Sequence, residues 1–246
     1  EITLQEGDYG WWMDCEQETQ ELYRMLCQGK SGARTPVYYQ TAAVYGSRDY
    51  GDSYVEINLT AQHLFVYKHG KKVMESDFVS GNVASGDATP EGIYGLTYKE
   101  RDATLNGEDY ESLVSYWMPF NRNVGLHDAV WRDRFGGDIY RQAGSHGCIN
   151  LPYEAAKELY GHVEKGMAVI CYTLPGMASG SVTDQTAEET AQSVIDAIDR
   201  LGTVTRDSGK SIERIRALYG RLTPAARRQV TNYEAFLAAE KQYREM

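Results

Sequence analysis

Cys148 lies in the run Ser145-His146-Gly147-Cys148-Ile149-Asn150, and His127 precedes it by 21 positions. A thiol attacks a carbonyl at neutral pH only when a nearby base takes its proton or a cation favours the thiolate. A histidine within hydrogen-bond reach does either. Gly147, beside the sulfur, lets backbone and substrate approach closely, and its amide is a candidate oxyanion donor. Two blander readings compete. A lone cysteine is most often a small buried hydrophobe, and His-x-Cys is half of a metal site. No Cys-x-x-Cys or second histidine pair completes such a site, so no metal is expected.

The elements that must hold these residues read mainly as strands. Val55, Ile57 and Leu59 alternate with Glu56 and Asn58, a period of two. Leu64 to Tyr67, Val73 to Val79 and Ile93 to Tyr98 follow, separated by His69-Gly70, Ser80-Gly81 and Pro90-Glu91-Gly92. Tyr116 to Phe120 and Ala168 to Thr173 are also strand-like. Pro152 to Val163 reads as a helix, with Ala155, Ala156, Leu159 and Tyr160 on one face. Ahead of this middle, Asp14 to Gln28 has helical spacing through Leu22, Met25 and Leu26. Cys15 and Cys27 stand 12 positions apart there, about 18 Å on a straight helix, too far for a disulfide. Both are expected as buried or free thiols. Cys171, in a strand, is expected in the core. His63, His69 and His162 are expected to be structural or solvated.

Beyond Thr173 the composition changes. Pro175 to Ser181 is a linker by type. Thr186 and Glu189 form a capping-box signature ahead of Ala191, Val194, Ile195, Ile198 and Leu201. Ile212, Ile215, Leu218 and Leu222 make a second stripe, and Thr223-Pro224 opens a third helix that Thr231 and Glu234 can restart. This unit carries neither Cys nor His, so nucleophilic chemistry is not expected in it.

Of the 246 residues, 42% are apolar and 24% charged, ordinary for a folded protein. A net charge of −10 excludes a nucleic-acid binder or a protein held on anionic lipid by charge. Four cysteines are too few for a disulfide scaffold. The 19 tyrosines suit wet clefts as well as core edges. No segment reads as a membrane span.

The wider pattern resembles the catalytic domain of the L,D-transpeptidases, the YkuD domain. That signature is a His, a spacer, and Ser/Thr-His-Gly-Cys-x-Asn/Arg, here His127 and then Ser145 to Asn150. Thr89 to Tyr94, Tyr116-Trp117-Met118-Pro119-Phe120, Trp131 and Phe135-Gly136-Gly137 match as well, so the resemblance runs from about Tyr54 to Thr173. It implies a mainly β catalytic domain, a YkuD-like β-sandwich with one or two helices, acting on peptidoglycan stem peptides. By its place in the motif, Cys148 would attack the carbonyl between the third residue, a diamino acid, and the terminal D-Ala of a tetrapeptide. D-Ala leaves, a thioester forms, and a side-chain amine of a second stem attacks it, giving a 3→3 cross-link. His127 takes the place of the general base. Asp128 follows it where many relatives carry Gly, Ser or Thr, and would orient His127 by side chain or by backbone carbonyl. His146 and Gly147 would shape the nucleophile loop. Ser145 is an expected substrate-binding residue, and Asn150 would brace the loop or touch substrate. From their residue types, Tyr116, Trp117 and Trp131 are candidate substrate-binding cleft walls, with core packing as the alternative for each. Gly136 and Gly137 suggest a turn or flap over the cleft, and the stretch between Leu105 and Leu113 is a candidate lid. No cofactor is implied. Carbapenems are implied as covalent inhibitors, and cell-wall biogenesis and cell shape as the processes served. An L,D-carboxypeptidase with the same nucleophile, or a non-catalytic wall-binding protein, are the alternatives.

The flanks resemble clostridial-type, Gram-positive transpeptidases. Residues 1–50 read as a helix and linker following a peptidoglycan-binding module, 51–175 as the catalytic domain, and 176–183 as a linker. Residues 184–246 read as a three-helix bundle, either a wall-attachment module or a stabilising appendage. The chain starts at Glu1 without an apolar leader, so the expected location is the cell wall or outer membrane face, through an anchor upstream.

Overall fold

The structure, a computed structural model, describes residues 2–4, 6–107 and 111–246. The N-terminal region holds β1 (Trp12–Met13), α1 (Cys15–Cys27) and β2 (Tyr38–Gln40). Asp14 caps α1 by accepting the Gln17 amide at 2.9 Å. No residue of α1 is buried. The helix is held at its edge instead, where Glu18 takes Arg34 at 2.8 Å and the Val37 amide at 2.9 Å. Cys15 and Cys27 are therefore exposed free thiols rather than buried ones.

The centre runs β3 (Tyr54–Asn58), β4 (His63–Lys68), β5 (Lys71–Asp77), β6 (Gly92–Gly95), β7 (Glu100–Asn106), β8 (Glu111–Asn121), β9 (Val124–Asp128) and β10 (Arg134–Gly136). It continues through α2 (Tyr140–Ala143), β11 (Ile149–Leu151), α3 (Tyr153–His162) and β12 (Ala168–Tyr172). One sheet has the order β5-β4-β3-β12-β6, the other β11-β9-β8-β7. Their inner faces share one core, in which Val55, Ile57, Leu64 and Phe78 meet Tyr116, Met118, Phe120 and Leu126. Tyr153, Ala156 and Leu159 of α3 join it. The alternation in β3 is the cause: Val55 and Ile57 are fully buried while Tyr54 and Glu56 face outward. Cys171 lies in the same core.

Residues past Thr173 do not all run free. β13 (Val182–Asp184) pairs antiparallel with β10. Then come α4 (Ala187–Leu201), α5 (Gly209–Arg221), the short α6 (Pro224–Arg227) and α7 (Tyr233–Arg244). Thr186 and Glu189 form a capping box at the start of α4. Ala191, Val194, Ile198, Ile212, Ile215, Leu218 and Phe236 form a second core. Leu113 of β8 belongs to that core too. Among the described residues no helix is long and apolar enough to cross a membrane.

Candidate active site

The topology explains the spacing of the motif. β9 and β11 are parallel neighbours, with Asn150 opposite His127 and Leu151 opposite Asp128. Parallel neighbours cannot be joined by a tight turn and need a crossover of a dozen or more residues. The chain between His127 and Cys148, with β10 and α2, is that crossover. It returns the backbone so that Cys148, at the lead-in to β11, opens into the same cleft as His127. The cleft has a volume of about 220 Å³, and Trp131, Arg132, Ser145, His146 and Asn150 also line it.

The loop carrying the sulfur is tied down from two sides. Ser145 Oγ donates to the Cys148 carbonyl at 2.6 Å and accepts the Gly147 amide at 3.1 Å. Thr89 Oγ1 donates to the Gly147 carbonyl at 2.7 Å and accepts the Gly81 amide at 3.0 Å. Gly147 has φ of 113°, a conformation that side chains with a Cβ rarely adopt. Its amide is spoken for by Ser145, which corrects the expectation that it serves as an oxyanion donor.

His127 is buried and held at both nitrogens. Nδ1–H donates to the Asp128 carbonyl at 2.8 Å. Nε2 lies 3.0 Å from the Asn150 side-chain nitrogen and accepts from it. Trp117 and Trp131 flank the ring at 5.9 Å each. Burial pushes the imidazole down to about 4, with Arg132 adding to the effect and the Asp128 carbonyl opposing it. Cys148 Sγ donates to the Asn123 carbonyl at 3.5 Å. Burial pushes its thiol up to about 11. At neutral pH both groups are therefore uncharged. A thiol and a neutral imidazole can perform acyl transfer if the proton leaves sulfur as the S–C bond forms.

Several expected site residues fall elsewhere. Successive strand residues face opposite ways, so the Asp128 side chain leaves His127 and accepts the Ser115 and Tyr116 amides at 2.7 and 2.8 Å. Of the two ways Asp128 was expected to orient His127, the backbone carbonyl is the one in place. Tyr116 is not a cleft wall. It lies in the core against Tyr153, with ring centroids 5.6 Å apart. Trp117 is buried behind the cleft with Ala103 and Val114, against Cys148. Only Trp131 stands open beside His127, 43% exposed. Ser145 and Asn150 line the cleft, and their side chains are bonded to the Cys148 carbonyl and to His127. His146 is exposed on the rim. Gly136 and Gly137 form no flap. A Cβ at Gly136 would stand 2.2 Å from the Ser181 carbonyl oxygen, so the glycine admits β13 against β10. The expected lid is the β7–β8 hairpin, whose Leu105 and Ser112 line the cleft, while its residues 108–110 lie outside the described residues. Arg132 is the site residue that sequence reasoning passed over. It donates from Nε to Asn150 Oδ1 at 2.7 Å and from Nη1 to the Ala143 carbonyl at 2.8 Å. Its only sequence signal is a cation one short turn after the histidine strand. Among the described residues no group of three His, Cys, Asp or Glu can hold a metal ion.

A thiol and a buried imidazole lining one open cleft on a two-sheet scaffold fit a thiol-dependent acyl-transfer enzyme. Residues 52–171 match the L,D-transpeptidase catalytic domain family, YkuD. A mutant of the Enterococcus faecium L,D-transpeptidase is 39% identical, covers 70% of this chain and 69% of its own, and superposes with a TM-score of 0.58. The Ldtfm–avibactam carbamoyl enzyme is likewise 39% identical, over 70% of this chain and 68% of its own, with a TM-score of 0.58. No curated protein matches the chain. The chain belongs to the L,D-transpeptidase family.

Proposed function

We propose that the protein is a peptidoglycan L,D-transpeptidase that forms 3→3 cross-links through a thioester on Cys148. The observation that carries the reading is the placement of Cys148 and His127 in one cleft by the parallel β9–β11 pair. The thiol turns from the Asn123 carbonyl toward His127. As sulfur attacks the carbonyl before the terminal D-Ala, its proton passes to Nε2. When the C–N bond breaks, the imidazolium returns that proton to the leaving D-Ala amine. A neutral side-chain amine of a second stem then attacks the thioester, giving its proton to Nε2. The departing thiolate takes it back. Trp131 and the β7–β8 hairpin limit the access of water to the thioester. We propose that the protein works in the cell wall or at the outer face of the membrane, through an upstream anchor.

The test is mass spectrometry of a disaccharide-tetrapeptide incubated with the protein. A cross-linked dimer that has lost one D-Ala is the expected product, and Cys148→Ala abolishes it while leaving the circular dichroism unchanged. Tripeptide monomer alone makes the protein an L,D-carboxypeptidase. Turnover retained by Cys148→Ala overturns the assignment of the nucleophile. The solved avibactam carbamoyl enzyme supports a further expectation, that avibactam carbamoylates Cys148, and we propose that carbapenems acylate the same sulfur. Intact mass should show one adduct in the wild type and none in Cys148→Ala.

A further inference from the structure

We propose that Arg132 is a positioning residue. It orients the Asn150 carboxamide so that the NH2 group, not the carbonyl oxygen, faces His127 and keeps the basic lone pair on Nε2. The argument starts from what each group can do. A guanidinium N–H only donates. Arg132 Nε is 2.7 Å from the Asn150 side chain, so the atom it meets must be the carbonyl oxygen Oδ1. The other end of the carboxamide, Nδ2, is then the atom 3.0 Å from His127 Nε2. An amide NH2 only donates, so Nε2 must accept and carries no proton. The Asp128 carbonyl only accepts, which puts the ring proton on Nδ1. The relay fixes one tautomer from both sides, and it leaves unprotonated the nitrogen that must receive the thiol proton. Asn150 holds that lone pair as a placeholder, to be displaced when Cys148 turns in.

The relay is anchored at its far end. Arg132 Nη1 is tied to the Ala143 carbonyl at 2.8 Å, just ahead of the nucleophile loop. The Arg132 carbonyl accepts Gln185 Nε2 at 2.8 Å. Asn150 is fixed by reciprocal backbone bonds with Val79, both 2.9 Å. Without Arg132 the carboxamide is free to turn over. Its oxygen would then face Nε2 while the Asp128 carbonyl faces Nδ1. Two acceptors around one imidazole favour the doubly protonated ring, which cannot act as a base. Among the described residues, the charged or titratable groups that adjoin the ring or line its cleft are Arg132 on the turn after β9, Cys148 and His146 on the loop before β11, and Asp128 on the opposite face of β9.

This inference rests on the proposed role of His127, and its first test does not depend on turnover. Long-range ¹H–¹⁵N correlation spectra of the imidazoles at neutral pH, assigned with His127→Gln, report which nitrogen carries the proton. The wild type should show a protonated Nδ1 and a pyridine-type Nε2. In Arg132→Met, the pH at which the Nε2 signal moves to the imidazolium position, followed by titration, and with it the acid limb of avibactam acylation, should rise by about one pH unit or more. Arg132→Lys keeps the charge but cannot span both Asn150 and Ala143, and should recover only part of the wild-type behaviour. Asn150→Asp, which must present an oxygen to Nε2, should give the imidazolium spectrum even with Arg132 present. The proposal is overturned if Arg132→Met, folded by circular dichroism, keeps the wild-type Nε2 titration. Full recovery by Arg132→Lys also overturns it, because charge alone would then be sufficient. An acylation defect with an unchanged tautomer would locate Arg132 in substrate binding instead.

Discussion

His127 and Asp128 are shifted in opposite directions by one cause. Burial favours the neutral form of each, so the imidazole falls to about 4 and the carboxyl rises to about 6. The consequences for stability have opposite signs. As pH falls from 6.5 to 4, the unfolded chain protonates His127 and the folded chain does not, so stability is lost, about 3 kcal/mol in all. As pH falls from 6 to 3.8, the folded chain protonates Asp128 and the unfolded chain does not, so a similar amount, about 3 kcal/mol, is gained. The pair therefore contributes a nearly flat profile across this window. Asp128→Asn keeps an oxygen for the Ser115 and Tyr116 amides but removes the compensating titration. Urea unfolding should show the variant losing about 3 kcal/mol relative to wild type between pH 6.5 and 4. Parallel curves for the two proteins would contradict this account. At this scale the sequence was partly legible. That Cys148 and His127 belong to one cleft follows from residue types and motif. The division of Asp128 into a useful carbonyl and an outward-turned carboxylate depends on the strand geometry around it.

At the scale of elements, β8 shows where reading from sequence stops. Alternation in β3 says which side chains go inward because one face is wet. In β8 every residue from Leu113 to Phe120 is buried, so the same period says only that Tyr116 and Trp117 part ways. Which of them meets the core and which backs the cleft is decided by the pairing of Trp117 with His127 across β8 and β9. The 21-residue spacing carried more information than its motif, since only a parallel pair needs so long a return. Gly136-Gly137 is the reverse case, two glycines that signal close approach without saying to what. The nucleophile loop yields a test. Gly147 sits at φ 113°, and a Cβ there would lie 3.4 Å from Val124 Cγ2. Gly147→Ala should cost about 1–3 kcal/mol by strain. It should slow adduct formation on Cys148 by roughly tenfold or more, since small misplacement of reacting groups is costly. Intact-mass time courses beside thermal melts separate the two effects, and an unchanged acylation rate would mean the loop can relax without moving the sulfur.

At the scale of the whole molecule, the C-terminal helices are bound to the back of the catalytic sheet by polar contacts that their own stripe pattern does not reveal. Arg214 of α5 donates to the Val114 carbonyl at 2.6 Å and the Ala103 carbonyl at 3.3 Å. It shares Asp102 with Arg200, at 3.2 and 2.9 Å. Asp196 of α4 takes the Tyr153 hydroxyl at 2.8 Å and Lys157 at 2.7 Å. Gln185 binds the Arg132 carbonyl and accepts the Tyr153 amide at 2.9 Å. The amphipathic helices predict a core of their own, and they have one, but Leu113 of β8 contributes to it. A hydrophobic core shared across a boundary, together with a largely buried guanidinium bonded to strand carbonyls, couples unfolding of the two parts. Arg214→Ala leaves the Val114 carbonyl without its partner at an interface with little access to water, a loss of about 2–3 kcal/mol. Because β8 carries both that carbonyl and the backbone amides that hold Asp128, the loss should be felt in the sheet and not only in the helices. Urea unfolding followed by tryptophan fluorescence is the suitable probe, since all four tryptophans lie before residue 132 and none is in the helices. The midpoint should move to lower urea in Arg214→Ala. An unmoved fluorescence midpoint, with a shift seen only in helical circular dichroism, would mean the helices dock without supporting the sheet beneath the site.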